Sequence, residues 1–329
     1  LQDLSQFINT GKAMVIIAAI LVSVVFAFAA GTLFMYISRL IFSFRYHPAF
    51  RRWGAFWCGI SLSGILYFAL FKGLKSSGLI PSDITQYVGE HVLLTLFAFW
   101  AAASLILWIL QRMRFNIMRI TILSGTFALA LAFAGNDLVN FIGVPVAGFD
   151  AYSIAHRTGD ASMLMGALNE NVPANFLVLL AAGGVMIATL WTSKKSMHVS
   201  ATELSLSTQS DEGSEQQYGS SFFSRTIVRA ALNINAGVER VIPRRLRTAI
   251  AKRFEYEDIE HSGAPYDMIR ATVNLTTSAL LIALATSLKL PLSTTYVSFM
   301  VAMGSSLADR AWGRESAVYR ITGVMAVIS

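Results

Sequence analysis

A single cysteine in 329 residues leaves no disulfide framework and no cysteine metal site to consider, and Cys58, set in an apolar run, has packing as its simplest role. Charge is scarce too: 14% of the residues are Asp, Glu, Lys or Arg, where soluble domains carry about 25%. No stretch has the spacing of a Walker loop, a dinucleotide fingerprint or a zinc site. The 26 Lys and Arg exceed the 19 Asp and Glu, but no aromatic-interleaved basic stripe accompanies them, so nucleic acid is not implied as a partner. What the chain has in quantity is apolar sequence, 55% of its residues.

That apolar sequence is gathered into runs at residues 13–37, 54–74, 91–110, 120–148, 174–192 and 271–288. Each approaches or exceeds the roughly 20 residues a helix needs to cross hydrocarbon. Helices are the form expected, because a backbone in lipid must satisfy its own N–H and C=O groups. The basic residues give an orientation, since Lys and Arg collect in cytoplasmic loops. Arg39, Arg45, Arg51 and Arg52 follow the first run, Arg112, Arg114 and Arg119 the third, and Lys194 and Lys195 the fifth. The alternate loops hold little beyond Lys72, Lys75, Arg157 and Lys289. The expectation is a multi-pass protein of the cell membrane, all-α, a polytopic bundle. Leu1 falls outside, the loops near Arg51, Arg112 and Lys194 are cytoplasmic, and Arg310, Arg314 and Arg320 are inside again.

Three regions follow: transmembrane helices over 1–192, a cytoplasmic linker over 193–264, and further transmembrane helices over 265–329. Residues 205–221 are too polar to build a packed core. Residues 222–254 space apolar side chains among arginines, as an amphipathic helix or a pair broken near Pro243 would. A chain that starts at Leu1 and ends at Ser329 inside an apolar stretch reads as a fragment.

Two stretches carry chemistry. In residues 131–148, LAFAGNDLVNFIGVPVAG, an acid and two amides interrupt an apolar run. An ionisable Asp137 at membrane depth is costly and marks a cavity, a partner or an ion pathway. Asn136, Asp137 and Asn140 offer carboxylate and carboxamide oxygens suited to Na⁺, one helical turn apart. Gly135, Gly143 and Pro145 surround them with backbone able to unwind into a broken helix, as ion sites in carriers do. The plainer reading is that these side chains cap a helix end or bond a neighbouring helix.

In residues 288–299, LKLPLSTTYVSF, Pro291 can end a helix before Ser293, Thr294 and Thr295. Hydroxyls at a helix N-terminus, beside its unpaired N–H groups and positive dipole end, suit an oxyanion such as phosphate. An ordinary Ser/Thr N-cap after proline is the plainer reading there. Asp267 and Arg270, one turn apart, suggest a local ion pair, and Asn274 either lines a pathway or bonds across helices. His47, His91 and His156 sit in or near loops, as exposed titratable groups rather than ligands.

The phrase AGNDLVNFIGVP is similar to the signature of the inorganic phosphate transporter family, whose repeats carry a G-A-N-D-V-A-N-A type motif, and PLSTTY resembles the same family's P-x-S-T-T-H. Tyr296 stands where the family often has His. The resemblance implies a carrier of inorganic phosphate coupled to Na⁺ or H⁺, with broken or re-entrant helices and two inverted repeats, and no enzymatic activity or organic cofactor. It also implies that Asn136, Asp137 and Asn140 bind cation, with Asp137 the Na⁺ ligand if sodium is the coupling ion. Asn136 and Asn140 together with Ser293, Thr294 and Thr295 would bind phosphate. Only one copy of each motif occurs, so the chain would be the second half of the carrier. Its partners would be membrane lipid and a missing N-terminal repeat, and a homo-oligomer is compatible with it. A carrier of another oxyanion such as sulfate, a passive anion channel and an intramembrane aspartyl enzyme are the alternatives.

Overall fold

The computed structural model describes residues 10–44, 46–69, 82–158, 176–194, 248, 253–254, 267–288, 290 and 292–309. Among these residues every regular element is a helix: α1 (Thr10–Phe42), α2 (Tyr46–Tyr67), α3 (Ser82–Glu90), α4 (Val92–Arg112), α5 (Ile117–Thr158), α6 (Phe176–Thr192), α7 (Met268–Ser287) and α8 (Thr294–Ala308). Four of them contain stretches long and apolar enough to cross a membrane, over Met14–Phe42, Val92–Arg112, Ile117–Arg157 and Met268–Ser287. The polar tract at 205–221, most of the basic region at 222–254, Pro291 and Arg310, Arg314 and Arg320 lie outside the described residues.

The chain divides into two compact units, Leu1–Leu131 with Glu203–Ser329, and Ala132–Thr202. In the first unit α1 packs along α8, α7 packs on both, and α2 packs along α4. Small residues set how closely these helices approach, as is common where lipid supplies no hydrophobic drive between helices. A Cβ at Gly31 would press into the backbone of Val301, and one at Gly304 into the carbonyl of Phe28 and the side chain of Thr32. Glycine at both places lets α1 and α8 meet backbone to backbone. Gly59 does the same for α2 against Ser104 of α4.

Around these contacts Met35, Phe42, Met118, Ile122, Ile269 and Val273 form one apolar cluster, with Trp57 at its edge. Ala55, Cys58, Leu107 and Ile117 form another, so the thiol is a packing group as its apolar setting suggests. Trp57 donates its indole N–H to Ser38 Oγ at 3.3 Å, and Gln111 donates to the carbonyl of Phe50 at 3.2 Å. These bonds tie α1 to α2 and the end of α4 to the start of α2.

The second unit holds the later part of α5, all of α6 and the residues up to Thr202. The expected break around residues 135–148 is absent: α5 continues as one helix of 42 residues through Gly135, Gly143 and Pro145. Glycine costs a helix only about 1 kcal/mol relative to Ala, and proline removes one N–H donor while leaving the rest of the ladder in place. These residues permit unwinding without enforcing it. At 1.5 Å per residue such a helix is roughly 63 Å long, about twice the hydrocarbon thickness.

Candidate functional site

On α5, Asn136 and Asn140 come together one turn apart, Asn140 donating from Nδ2 to Asn136 Oδ1 at 2.8 Å. Asn136 is buried, Asp137 partly buried and Asn140 exposed. This bond closes within α5, whereas the plainer expectation is a helix cap or a bond to a neighbouring helix. Asp137 adds a carboxylate at the adjoining position, so this face of α5 presents oxygen ligands of the hard type that suits Na⁺. No backbone carbonyl is released to join them while the helix is continuous. Gly135 and Gly148 have no heavy atom within 4 Å of where a Cβ would stand, so close packing does not account for either glycine.

The hydroxyl set belongs to the other unit. α7 closes at Ser287, and the N–H of Leu288 turns back to the carbonyls of Leu284 and Ala285. α8 then opens at Thr294 with Ser293 as N-cap, φ −96° and ψ 115°, which is the helix start expected from the sequence. The Ser293 hydroxyl makes no capping hydrogen bond, so it does not play the usual part of a Ser N-cap, accepting from the first turn. Val297 N–H bonds Ser293 O at 3.0 Å, and the N–H groups before it in the turn lack helical acceptors by construction. Thr294 is buried and Thr295 is exposed, while Ser298 donates back to the Thr294 and Thr295 carbonyls at 3.1 and 3.2 Å. Ser293, Thr294 and Thr295 thus sit together at one helix N-terminus.

Arg270, near the start of α7, and Asp309, just past the end of α8, join the two helices. From that joint α7 rises roughly 26 Å to Ser287 and α8 roughly 22 Å to Thr294, so the hydroxyls stand close to the level at which α7 ends.

The joint between α7 and α8 belongs to a network that sequence reasoning missed. Arg39, in the last turn of α1, donates from Nη2 to Asp267 at 2.8 Å and from Nε and Nη2 to the two oxygens of Asp309 at 2.5 and 2.6 Å. Arg270 meets Asp309 Oδ2 through Nη2 at 2.5 Å and through Nε at 3.0 Å. Both guanidinium groups are fully buried, and Asp309 is 2% exposed. Asp267 caps α7, accepting from the N–H groups of Ile269 and Arg270 at 2.9 and 3.0 Å. The expected local pair of Asp267 and Arg270 is thereby extended into a cross-helix network in which the guanidinium of Arg270 reaches α8. One rung further along, Ser305 donates to Asn274 Oδ1 at 2.5 Å, so Asn274 bonds across helices.

Electrostatics explain why these groups converge. Arg270 near the start of α7 and Asp309 at the end of α8 each face the unfavourable end of their own helix dipole. Each is the other's remedy. Burial by itself would raise the Asp267 carboxyl, but Arg39, Arg270 and the Arg270 N–H outweigh it and hold the group below its ordinary value. In the sequence, Arg39 is indistinguishable from the topological arginines, and Asp309 precedes another arginine. The available signal was an arginine still inside the apolar helix and an acid at the end of another.

His47, His91 and His156 are exposed, as expected. Cys58 is buried and free. No family model, no curated protein and no solved structure matches the chain.

Proposed function

We propose that the chain is half of a secondary carrier that moves inorganic phosphate together with a cation, and that it lies in the cell membrane with the Arg51, Arg112 and Lys194 loops inside. The observation that carries this reading is the helix start at Ser293, Thr294 and Thr295: three hydroxyl residues at one helix N-terminus, with an N-cap hydroxyl that makes no capping bond. A helix N-terminus stabilises an oxyanion through its N–H groups and dipole with no need of arginine. That suits a carrier, which must release what it binds.

Asn136, Asp137 and Asn140 supply the cation in this reading. A cation carried at the Asp137 carboxylate offsets the charge that is moved with phosphate. With Na⁺, Asp137 and the amide oxygens are its ligands; with H⁺, Asp137 takes up the proton. The length of α5 and its unpacked glycines support a break near Gly135 in the working carrier, which would release backbone carbonyls to the cation. A preceding repeat of inverted topology supplies the second pair of motifs, and rocking of one repeat against the other gives alternating access.

The test is uptake of radiolabelled phosphate into proteoliposomes holding the full-length protein, with inward Na⁺ or H⁺ gradients. Gradient-driven accumulation that Asp137→Asn removes is the expected result. Sulfate uptake indifferent to added phosphate would reassign the substrate, and entry that only equilibrates phosphate, whatever the Na⁺ or H⁺ gradient, would make the protein a channel. Turnover of a membrane substrate without uptake would make it an enzyme.

A further inference from the structure

We propose that the inner end of α2 and α4, with the turn into α5, forms a binding site for the headgroup of an anionic phospholipid. Five arginines gather here: Arg51 and Arg52 in the second turn of α2, Arg112 at the end of α4, Arg114 in the turn and Arg119 in the first turn of α5. The bond from Gln111 to the carbonyl of Phe50 and the packing of Ile117 on Ala55 and Leu107 hold these three segments together. All five arginines are exposed. Among the described residues none has an ion pair or a side-chain hydrogen bond. Asp267 and Asp309 are held by Arg39 and Arg270. Among the described residues the patch is five positive charges without a carboxylate partner.

Its apolar border decides what kind of anion covers it. Trp53 follows Arg51 and Arg52 on α2, and Trp108 precedes Arg112 on α4, each at the boundary between basic and apolar sequence. Both indoles are exposed, at 55% and 45%, and Arg112 lies over the Trp108 ring with its Cζ 5.1 Å from the centroid. In the turn, Met113 and Phe115 are 62% and 55% exposed on either side of Arg114. Tryptophan at the headgroup level beside arginine is the arrangement that meets a lipid at its glycerol and phosphate together. A free oxyanion would gain nothing from the exposed Trp, Met and Phe, whereas a phospholipid covers both the charges and the apolar rim. Arg114 also holds φ at 65°, a left-handed conformation unusual for a residue with a Cβ.

A general attraction of basic loops to an acidic leaflet would be spread over every inner arginine and lysine. A site is local and saturable. The full-length protein in phosphatidylcholine nanodiscs would be titrated with phosphatidylglycerol brominated on its acyl chains. Quenching of tryptophan fluorescence would be read against brominated phosphatidylcholine. Wild type is expected to saturate at a low mole fraction of the anionic lipid. Each arginine near an anionic surface contributes about a fivefold factor, so R112Q/R114Q should weaken the interaction by about thirtyfold. K194Q, outside the patch, should leave it unchanged. Unchanged quenching in R112Q/R114Q, or an equal loss in K194Q, would overturn the site. Displacement of the brominated lipid by inorganic phosphate would overturn the lipid as its occupant and identify a free-oxyanion site.

Discussion

Asp309 and Asp137 are both acids in a membrane bundle, yet the surroundings give them opposite expectations. Asp309, together with Asp267, balances two buried guanidinium groups. Asp309→Asn would leave one buried positive charge uncompensated, so a loss of about 3–5 kcal/mol is expected, visible as a lower melting temperature of the solubilised protein. Asp137 is partly exposed on α5, and Asp137→Asn should shift stability by no more than about 0.5 kcal/mol while removing cation-driven uptake. Melting lowered equally by the two substitutions would make Asp137 a structural residue. Asp267 adds a pH dependence. Its carboxyl titrates below its unfolded value, so its stabilisation is complete above the ordinary carboxylate range near ~4 and is lost as pH falls through the lower folded value. The stability difference between wild type and Asp267→Asn should therefore be constant from about pH 5 to 8 and shrink below about pH 4. Melting curves across that range check it. The sequence shows which residues are acids and which are arginines, but Asp309 and Arg39 stand 270 positions apart. Only folding could pair them.

At the scale of helices, glycine has two different uses here. Gly31→Ala would push a methyl group into the Val301 backbone, which cannot move aside unless α1 and α8 separate. A loss of about 1–3 kcal/mol is expected from such overpacking, measurable by thermal unfolding. Gly135 has open space where a Cβ would stand, so Gly135→Ala should stabilise α5 by up to about 1 kcal/mol. If the carrier breaks α5 there, phosphate uptake should fall as stability rises. Full uptake in the stabilised variant would place the cation site on a continuous helix. The helix starts of α7 and α8 were legible, because Asp267 and Ser293 are N-cap residues and Pro291 precedes the second. The course of α5 was not. Gly and Pro state what a backbone can do at small cost, and the rest of the helix decides whether it is done.

For the molecule as a whole, one end of the first unit is marked twice over: by exposed arginines at Arg51, Arg112 and Arg114, and by the buried network of Arg39, Asp267, Arg270 and Asp309. The positive-inside reading puts both on the cytoplasmic side. It can be checked in a Cys58→Ala background, since Cys58 is the only cysteine of the chain. A membrane-impermeant maleimide should label Arg114→Cys only from the inside and Glu90→Cys only from the outside. Labelling of both from one face would invert or dissolve the proposed topology.

By itself the sequence determined the elements: apolar runs of membrane length form helices, four of them long and apolar enough to cross a membrane, and the proposed orientation rests on the basic residues between them. It also determined that hydroxyls stand at a helix start, because Pro and Ser act on their immediate neighbours. The tertiary structure alone decided that Arg39 and Arg270 share Asp309, that α1 meets α8 at Gly31 and Gly304, and that five arginines gather beside Trp53 and Trp108. Those outcomes depend on helices distant in sequence, where burial turns a charge into a demand for a partner and a missing Cβ into room for another backbone.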